Sequence, residues 1–412
     1  MYKRVVSNWV PLVLVVAITA CGGGSSSSGG AAVAPQPPPP VFGVGPADCV
    51  GGTADGFACL GMRLRKHVTL ASMGGTRGSD IWGWTDSQDG KEYALMGLSD
   101  AVSFVDISDP EQPVVIGSMA TATIASSWRD IKVFADHAFV VADAVGAHGM
   151  QVFDLTRLRG AGTGGVFTPD IIYSDFASAH NIVINESSGF AYIVGTDTCA
   201  GGLHMVDIST PLNPMFAGCH DADGDTHDAQ CVTYAGPDTD HLGSEICIDS
   251  NEDHVAIVDV STKSSPVTLA TFTYPNLGFV HQNWLTEDHT FLFVGDELDE
   301  TNSATNTRTL GFDVSDLDSP QLVFEHVANT TSIDHNLYVV GNRLYQANYA
   351  AGLRVLTFGN LSSDTLVEEA FFDTRPEDNN AEFNGAWGVY PFFSSGVIVI
   401  SDINRGLFIV SP

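Results

Sequence analysis

Basic residues are scarce in this sequence, and charged residues of both signs are few. The 412 residues contain 17 Lys and Arg against 49 Asp and Glu, a formal net charge of −32 at pH 7. Such an acidic chain repels a phosphate backbone, so the composition argues against DNA or RNA as a partner. Only 16% of the residues are charged and 44% are hydrophobic, which supports a large core and excludes a disordered chain.

Several common catalytic signatures are also absent. The sequence contains no G-x-S-x-G, H-E-x-x-H or Walker pattern. The nucleophile-elbow hydrolases, the zincins and the nucleotide hydrolases therefore lose their usual sequence support. A Ser/His/Asp arrangement assembled from distant segments stays open.

The first 20 residues have the pattern of a secretory signal. Lys3 and Arg4 precede an apolar run from Trp9 to Ala20, which is too short to span a bilayer as a helix. The run ends in Ile-Thr-Ala followed by Cys21, and this resembles the lipobox of bacterial lipoproteins. The resemblance implies cleavage before Cys21 and acylation of that residue. The alternative is an ordinary signal peptide with an incidental cysteine.

Residues 21–46 are predicted to form a tether after the acylated Cys21. GGGSSSSGG is typical of a flexible coil, and the following AAVAPQPPPP is typical of a stiffer polyproline segment. Gly22 stands where an Asp would mark retention at the inner membrane. We therefore expect a lipid-anchored protein of the cell envelope, held at the outer membrane on its periplasmic face or at the cell surface.

Cysteine is rare, with seven in the chain. An even number remains after Cys21, which predicts disulfides in an exported protein. The local spacings favour three of the 15 possible pairings: Cys49–Cys59, Cys199–Cys219 and Cys231–Cys247. No C-x-x-C occurs, so redox motifs and zinc knuckles lack support, and metal ligation by these cysteines is the alternative.

A strand pattern of apolar-Val-Asp-Ile-Ser type recurs through the chain. It is seen in SFVDIS, MVDIS, IVDVS and FDVS, with diverged copies in QVFDL, LRVLTF and LFIVS. Each copy belongs to a unit of about four short strands in roughly 50 residues, the dimensions of a propeller blade. Residues 47–412 are therefore predicted to form an all-β, seven-bladed β-propeller of four-stranded antiparallel blades. The alternative is two sheet domains divided near residue 220.

The last unit is one strand short. It ends at Pro412 after its third strand, which would leave an unpaired sheet edge. The segment from His67 to Met73 resembles the fourth strand of the other units. We expect a strand at about residues 68–73 to complete the last blade and close the ring.

Alignment of the first strand of each unit gives a column of aromatic side chains: Trp82, Trp128, His180, His227, His281, His335 and Trp387. Polar neighbours follow this column: Arg129, Asn181, Asp228, Gln282 and Asn336. The loops between the second and third strands carry a further polar set: Asp143, Asp197, Asp249, Asp253, Asp296, Glu297 and Asn348. In a meander blade these loops emerge where the innermost strand begins. The column and its neighbours are therefore predicted to line one mouth of the axial channel as a ligand-binding surface.

Several metal or ligand sites are compatible with this pattern. His180, His227, His281 and His335, with Asp296 and Glu297, have the donor types of a transition-metal site. The alternative is that each His bonds a backbone group or a nearby Asp. Two acidic loops, at residues 221–225 and 295–300, suit Ca²⁺ without matching EF-hand spacing, and the alternative is a solvated acidic turn. An aromatic platform for a sugar or peptide is predicted from Trp82, Trp84, Trp128 and Trp387, with core packing as its alternative.

Longer segments resemble the bacterial choice-of-anchor B family, whose LVIVD-type repeats form a propeller. They are DIWGWTD, SSWRDIKVF, HGMQVFDL, AHNIVINE, GGLHMVDIS, THDAQCV, SNEDHVAIVDV, GDELDE and IDHNLYV. The resemblance covers about residues 47–412 and implies an exported protein held at the surface by one of several anchors. The first functional hypothesis is a surface module that binds an extracytoplasmic ligand or an envelope protein. The alternatives are a metal-dependent enzyme with its His cluster at the channel mouth, and a purely structural spacer.

Overall fold

A computed structural model describes residues 42–412 as seven antiparallel blades around one axis. The innermost strand of each blade contacts the innermost strands of both neighbours, and blade 7 contacts blade 1, so the ring is closed. The seven-bladed propeller is therefore confirmed, and the alternative of two sheet domains divided near residue 220 is wrong.

The first four blades follow one another along the chain. Given from the innermost strand outward, their strands are Gly78–Thr85, Glu92–Leu98, Ala101–Asp106 and Val114–Ala120 in blade 1; Arg129–Phe134, His137–Ala142, Met150–Asp154 and Ile171–Tyr173 in blade 2; Asn181–Asn185, Phe190–Val194, Leu203–Asp207 and Met215–His220 in blade 3; and Asp228–Thr233, Glu245–Ser250, Val255–Asp259 and Val267–Phe272 in blade 4.

The remaining blades complete the ring. Their strands, in the same order, are Val280–Leu285, Phe291–Asp296, Arg308–Asp313 and Gln321–Val327 in blade 5; Asn336–Val340, Arg343–Ala347, Leu353–Thr357 and Val367–Phe372 in blade 6; and Ala386–Tyr390, Ile398–Asp402, Gly406–Ser411 and Arg63–Thr69 in blade 7. Three short strands lie at the outer edges, namely Gly165–Phe167 on blade 1 and Phe57–Leu60 with Thr53–Ala54 on blade 6. The helical segments are Leu70–Met73, Leu155–Leu158, Cys199–Gly201 and Asp299–Ser303.

The hydrophobic core lies between adjacent blades. The second strand of blade 1, Glu92–Leu98, is buried at every position, as its continuous apolar run indicates. Phe104 of blade 1 stacks on Phe153 of blade 2 with ring centroids 4.9 Å apart. The outermost strand of blade 4, Val267–Phe272, has no fully buried residue. Both faces of the inner strands are therefore covered, and the outer strands face solvent.

Blade 7 is completed by a strand from the beginning of the described chain. Arg63–Thr69 pairs antiparallel with Gly406–Ser411, and Val68 lies opposite Leu407. The predicted closure is confirmed, but the predicted bounds of about 68–73 are wrong. The chain leaves the sheet after Thr69, whose side chain accepts a hydrogen bond from the Ser72 amide and caps the short helix Leu70–Met73.

The three predicted disulfides are present. They join Cys49 to Cys59, Cys199 to Cys219 and Cys231 to Cys247. The third links directly paired residues of two neighbouring strands in blade 4. The pairing predicted from local spacing is therefore confirmed for these six cysteines.

The predicted signal peptide, Cys21 and most of the tether lie outside the described residues. Among residues 42–412, no helix is both long and apolar enough to cross a membrane.

Candidate functional site

One end of the axial channel is a cavity of about 450 Å³ that we call the histidine mouth. It lies where the inner strands of blades 2 to 7 begin. Its principal side chains are Trp128, His180, His227, His281, Glu297, His335 and Trp387. The four imidazoles form an arc, because consecutive ring centroids are 4.2, 4.5 and 4.2 Å apart. The structure thus brings all four predicted histidines together, with Glu297 beside them.

Two of the four histidines have hydrogen-bond partners. His180 Nδ1 lies 3.2 Å from Asp143 Oδ2, and His335 Nδ1 bonds the Trp387 carbonyl oxygen. By contrast, buried His227 Nε2 and His281 Nδ1 have no hydrogen-bond partner among the described residues. Hydrogen bonds to backbone or carboxylate groups therefore explain the positions of His180 and His335, but not those of His227 and His281.

Glu297 connects the arc to the loops. Its Oε1 lies 3.9 Å from His281 Nε2 and 3.7 Å from His335 Nε2, and it accepts a 2.7 Å hydrogen bond from the Tyr349 hydroxyl. One donor atom each of His227, His281 and Glu297 lie within 4.8 Å of one another. Two imidazoles and a carboxylate at this spacing have the donor types and proximity of a transition-metal site.

Burial controls the protonation of this cluster. Burial and the neighbouring imidazoles hold the pKa values of His227 and His281 well below the usual range, and burial lowers the pKa of His335 to about 3. Burial raises the pKa of Glu297 to about 7. For His180 burial is the largest effect and lowers the pKa, but Asp143 and other carboxylates outweigh it and raise the net value. Three of the imidazoles are thus neutral at pH 7, with lone pairs available to a metal.

Arg129 does not belong to the histidine mouth, and its prediction as a mouth residue is wrong. The side chain is 1% exposed and lies between blades 1 and 2. Its Nε donates to the Leu98 carbonyl oxygen at 3.0 Å, and its Nη1 lies 3.3 Å from His148 Nε2. These buried acceptors direct the guanidinium away from the axis.

Asp296 is likewise unsuited to the predicted role of metal ligand. It is fully buried, and its two oxygens accept hydrogen bonds from the Gly278 and Phe279 amides, both at 2.7 Å. Arg308 Nη2 lies 3.6 Å away. Asp296 therefore holds the loop that precedes the inner strand of blade 5.

Beneath the histidine mouth lies a layer of polar side chains that narrows the channel. Its members are Asp80, Asp130, Lys132, Asn181, Asp228, Gln282 and Asn336. The cavity there measures only about 20 Å³, enough for one water molecule. The layer therefore separates the two ends of the channel.

The polar layer joins neighbouring blades by hydrogen bonds. Asp130 accepts from the Ile182 amide at 2.7 Å, and Gln282 donates to Asp228 at 2.9 Å while accepting from the Leu337 amide at 2.5 Å. Asn181, Asp228, Gln282 and Asn336, predicted at the mouth, thus lie one step deeper. Gly388 takes the equivalent place in blade 7, where a Cβ atom would come within 2.9 Å of Asp80 Oδ1.

The opposite end of the channel is a cavity of about 440 Å³ that we call the aromatic chamber. Its aromatic residues are Trp82, Trp284, Tyr338, Tyr390 and Phe392, and its polar residues include Lys132, Glu186, Asp228, Gln230 and Gln282. The aromatic rings pack edge to face, with centroids 4.9 Å apart for Trp284 and Tyr338 and 5.1 Å for Trp82 and Tyr390.

Trp82 is therefore wrongly assigned to the histidine column. It lies in the aromatic chamber because Asp80, and not Trp82, matches Asp130 and Asp228 in the polar layer. Trp82 stands two residues beyond Asp80, and strand periodicity points both side chains to the axis. The same offset from Gln282, Asn336 and Gly388 leads to the other chamber aromatics, so this signal was present in the sequence.

The predicted platform of four tryptophans does not form. Trp84 is 3% exposed and donates its indole N–H to Asp136 at 3.0 Å, so it is a core residue. Trp128 and Trp387 lie at the histidine mouth, whereas Trp82 lies in the aromatic chamber. The position of each tryptophan along its inner strand thus determines at which end of the channel its side chain lies.

Comparison with known proteins supports the repeat and the fold. The LVIVD repeat model matches residues 100–121, 178–221 and 246–273. The chain contains LVIVD repeats. The matched segments lie in blades 1, 3 and 4. No curated protein sequence matches the chain. Membership of the choice-of-anchor B family stays a prediction.

Two solved structures resemble the LVIVD-repeat ring in shape. The β-propeller domain of Cps50 (Swd1) from Myceliophteria thermophila aligns with a TM-score of 0.56 at 10% identity, over 85% of this chain and 98% of that domain. Hydrazine synthase from Kuenenia stuttgartiensis aligns with a TM-score of 0.55 at 11% identity, over 77% and 92% of the two chains. At these identities the likeness shows the fold alone.

Proposed function

We propose that this protein is a lipid-anchored, extracytoplasmic binding module whose aromatic chamber takes a saccharide. The chamber is the observation that carries the proposal. LVIVD repeats in a propeller are consistent with a binding module. The signal-like N-terminus and Cys21 support the anchor, and Gly22 supports the outer membrane.

The chamber combines apolar faces with polar groups at one end. A sugar ring has C–H faces that pack on Trp and Tyr and a hydroxyl edge that needs donors and acceptors. Trp284 and Tyr390 offer such faces, while Gln230, Asp228 and Lys132 offer the polar contacts. The volume of about 440 Å³ lies within the range of about 300–1,000 Å³ typical of small-ligand sites.

Saccharide binding is testable with paired tryptophan variants. Trp284→Ala removes a chamber wall and is expected to weaken binding of a glycan selected by array screening at least tenfold, because a stacking face is lost. Trp284→Phe should retain part of the affinity. Trp128→Ala, at the histidine mouth, is the control and should bind as the wild type does. Isothermal calorimetry gives the affinities, and melting temperatures show that each variant is folded.

Two outcomes would contradict this function. If no saccharide on a broad array binds the wild type, the ligand class is wrong. If Trp128→Ala loses affinity as much as Trp284→Ala does, the ligand does not occupy the aromatic chamber.

The histidine mouth favours a second candidate function, that of a transition-metal centre used for hydrolytic or redox chemistry. The specific observation is that one donor atom each of His227, His281 and Glu297 lie within 4.8 Å of one another. In addition, the buried nitrogens His227 Nε2 and His281 Nδ1 have no hydrogen-bond partner among the described residues. Two nitrogens and one oxygen suit Zn²⁺, Cu²⁺ or Fe²⁺ and leave positions for a substrate.

Metal content distinguishes this candidate from simple binding. Protein purified without chelator is expected to hold one equivalent of metal, and the variant His227→Ala with His281→Ala should lose it. His137→Ala with His326→Ala should keep the metal. His137 lies in the second strand of blade 2 and His326 in the outermost strand of blade 5, and neither lines the histidine mouth. Elemental analysis measures both. A metal-free wild type after incubation with each ion, or equal metal in the two variants, would exclude the centre.

A further inference from the structure

Three buried carboxylates lie together beside the loop that carries Glu297. Asp299 and Glu300 begin the short helix Asp299–Ser303 of blade 5, and Asp334 precedes the inner strand of blade 6. They are 1%, 3% and 2% exposed. One carboxylate oxygen of each lies within 4.8 Å of the other two.

Four oxygen atoms of this cluster have no hydrogen-bond partner among the described residues. They are Asp299 Oδ1, both Oε atoms of Glu300, and Asp334 Oδ1. The remaining oxygens are held in place, since Asp299 Oδ2 accepts from Arg308 Nε at 2.7 Å and Asp334 Oδ2 accepts from the Asp296 amide at 3.1 Å. Buried polar atoms normally have partners, so four unpartnered oxygens in one cluster indicate a ligand.

Too few basic residues lie near the cluster to balance the negative charge of its three carboxylates. Arg308 is the basic residue paired with Asp299, and it is shared with Asp296 and Glu325. No ion pair to Glu300 or Asp334 occurs among the described side chains. The native state must therefore bind either protons or a cation at this place.

We propose that Asp299, Glu300 and Asp334 bind one hard divalent cation, with Ca²⁺ as the best match. The donors are all oxygen, which Ca²⁺ and Mg²⁺ prefer over the softer ions. Ca²⁺ accepts irregular sets of six to eight oxygens, whereas Mg²⁺ requires near-octahedral geometry. Four free carboxylate oxygens from two chain segments fit the flexible case. The site is distinct from both candidate ligand sites of the channel.

The cation has a structural consequence for the histidine mouth. Asp299 lies two residues after Glu297, and Asp334 directly precedes His335. A cation shared by the two segments would tie the blade 5 loop to blade 6. It would thereby position Glu297 against His335, without touching a ligand in the mouth.

The response of the wild type and of Glu300→Gln to added Ca²⁺ distinguishes calcium binding from proton sharing. We strip the full chain with EDTA, remove the chelator, and titrate Ca²⁺ while recording the melting temperature and, by calorimetry, the stoichiometry. The wild type should bind one Ca²⁺ and gain roughly 3 °C at a hundredfold excess over Kd. Glu300→Gln and Asp334→Asn should each lose this gain. Without Ca²⁺, Glu300→Gln should melt at or above the wild-type temperature, because a buried acid has been removed.

Controls separate this site from the others. Asp221→Asn, in the acidic loop of residues 221–225, and the variant His227→Ala with His281→Ala should both keep the Ca²⁺ response. The proposal is overturned if the wild type neither binds Ca²⁺ nor gains stability while Glu300→Gln becomes more stable, because the acids then share protons. It is also overturned if Ca²⁺ stabilises the wild type, Glu300→Gln and Asp334→Asn equally. Asp334→Asn alone decides the result if Glu300→Gln does not fold.

Discussion

His180 and His227 occupy equivalent positions in consecutive blades, yet their chemistry differs. Asp143 pairs with His180 and raises its net pKa against the effect of burial, whereas burial and the neighbouring imidazoles lower the pKa of His227. The two histidines have the same strand position, so the loop residue Asp143 determines the difference between their pKa values. At the residue scale, a repeated histidine therefore does not have one repeated function.

Asp249 offers a direct test of the electrostatics at this scale. It is fully buried in Glu245–Ser250, neither carboxylate oxygen has a partner among the described residues, and burial raises its pKa well above the usual value. Native protein thus binds more protons than the unfolded chain, so stability falls as pH rises above about 4. We expect Asp249→Asn to be more stable than the wild type at pH 8 by about 1–3 kcal/mol, with a smaller difference at pH 5.

Urea unfolding at the two pH values checks this prediction. The control is Asp240→Asn, an exposed Asp in the neighbouring loop, and it should follow the wild type at both pH values. A loss of stability in Asp249→Asn that is the same at pH 5 and pH 8 would show that burial of this acid does not determine the pH dependence.

At the element scale, the closing strand Arg63–Thr69 links the two ends of the described chain. The sequence predicts this strand because the last repeat has only three strands, and an unpaired sheet edge is unfavourable. The predicted bounds lie about five residues too far along the chain, because the run Leu-Ala-Ser-Met resembles a strand when read by itself. The Thr69 cap makes that run helical.

Leu64 tests how much the closing strand stabilises the ring. Its side chain is fully buried in one cluster with Phe408 and Val410. Leu64→Ala should reduce the free energy of unfolding by about 2–5 kcal/mol, the usual effect of a cavity in a core. Leu60→Ala is the control, because Leu60 lies on the adjacent strand of blade 6 and is 48% exposed. The control should cost less than about 0.5 kcal/mol. Equal effects in urea unfolding would mean that the strand is not part of the cooperative core.

At the scale of the whole molecule, the polar layer divides the channel into two unlike sites. The histidine mouth and the aromatic chamber are each larger than 400 Å³, whereas the space between them is about 20 Å³. A ligand larger than water therefore cannot pass through the channel from one site to the other. This separation allows the saccharide and metal experiments to be interpreted independently.

The sequence by itself determined the number of blades, the closure of the ring and the three disulfides. These features depend on local repeats, short Cys spacings and the need to pair every sheet edge, and all three can be read along the chain. The convergence of four histidines followed in the same way, since equivalent positions of a ring face one axis.

Only the tertiary structure decided which polar groups meet. Asp334 lies 34 residues after Glu300 in the chain, and nothing local indicates that their carboxylates are neighbours. The side chain of Arg129 turns away from the axis, because adjacent strand residues point to opposite faces. Trp82 points to the axis, but its place along the strand puts it in the aromatic chamber and not at the histidine mouth. Contact between distant loops and the register within a strand depend on packing of the whole ring, and the pattern of a single blade does not contain them.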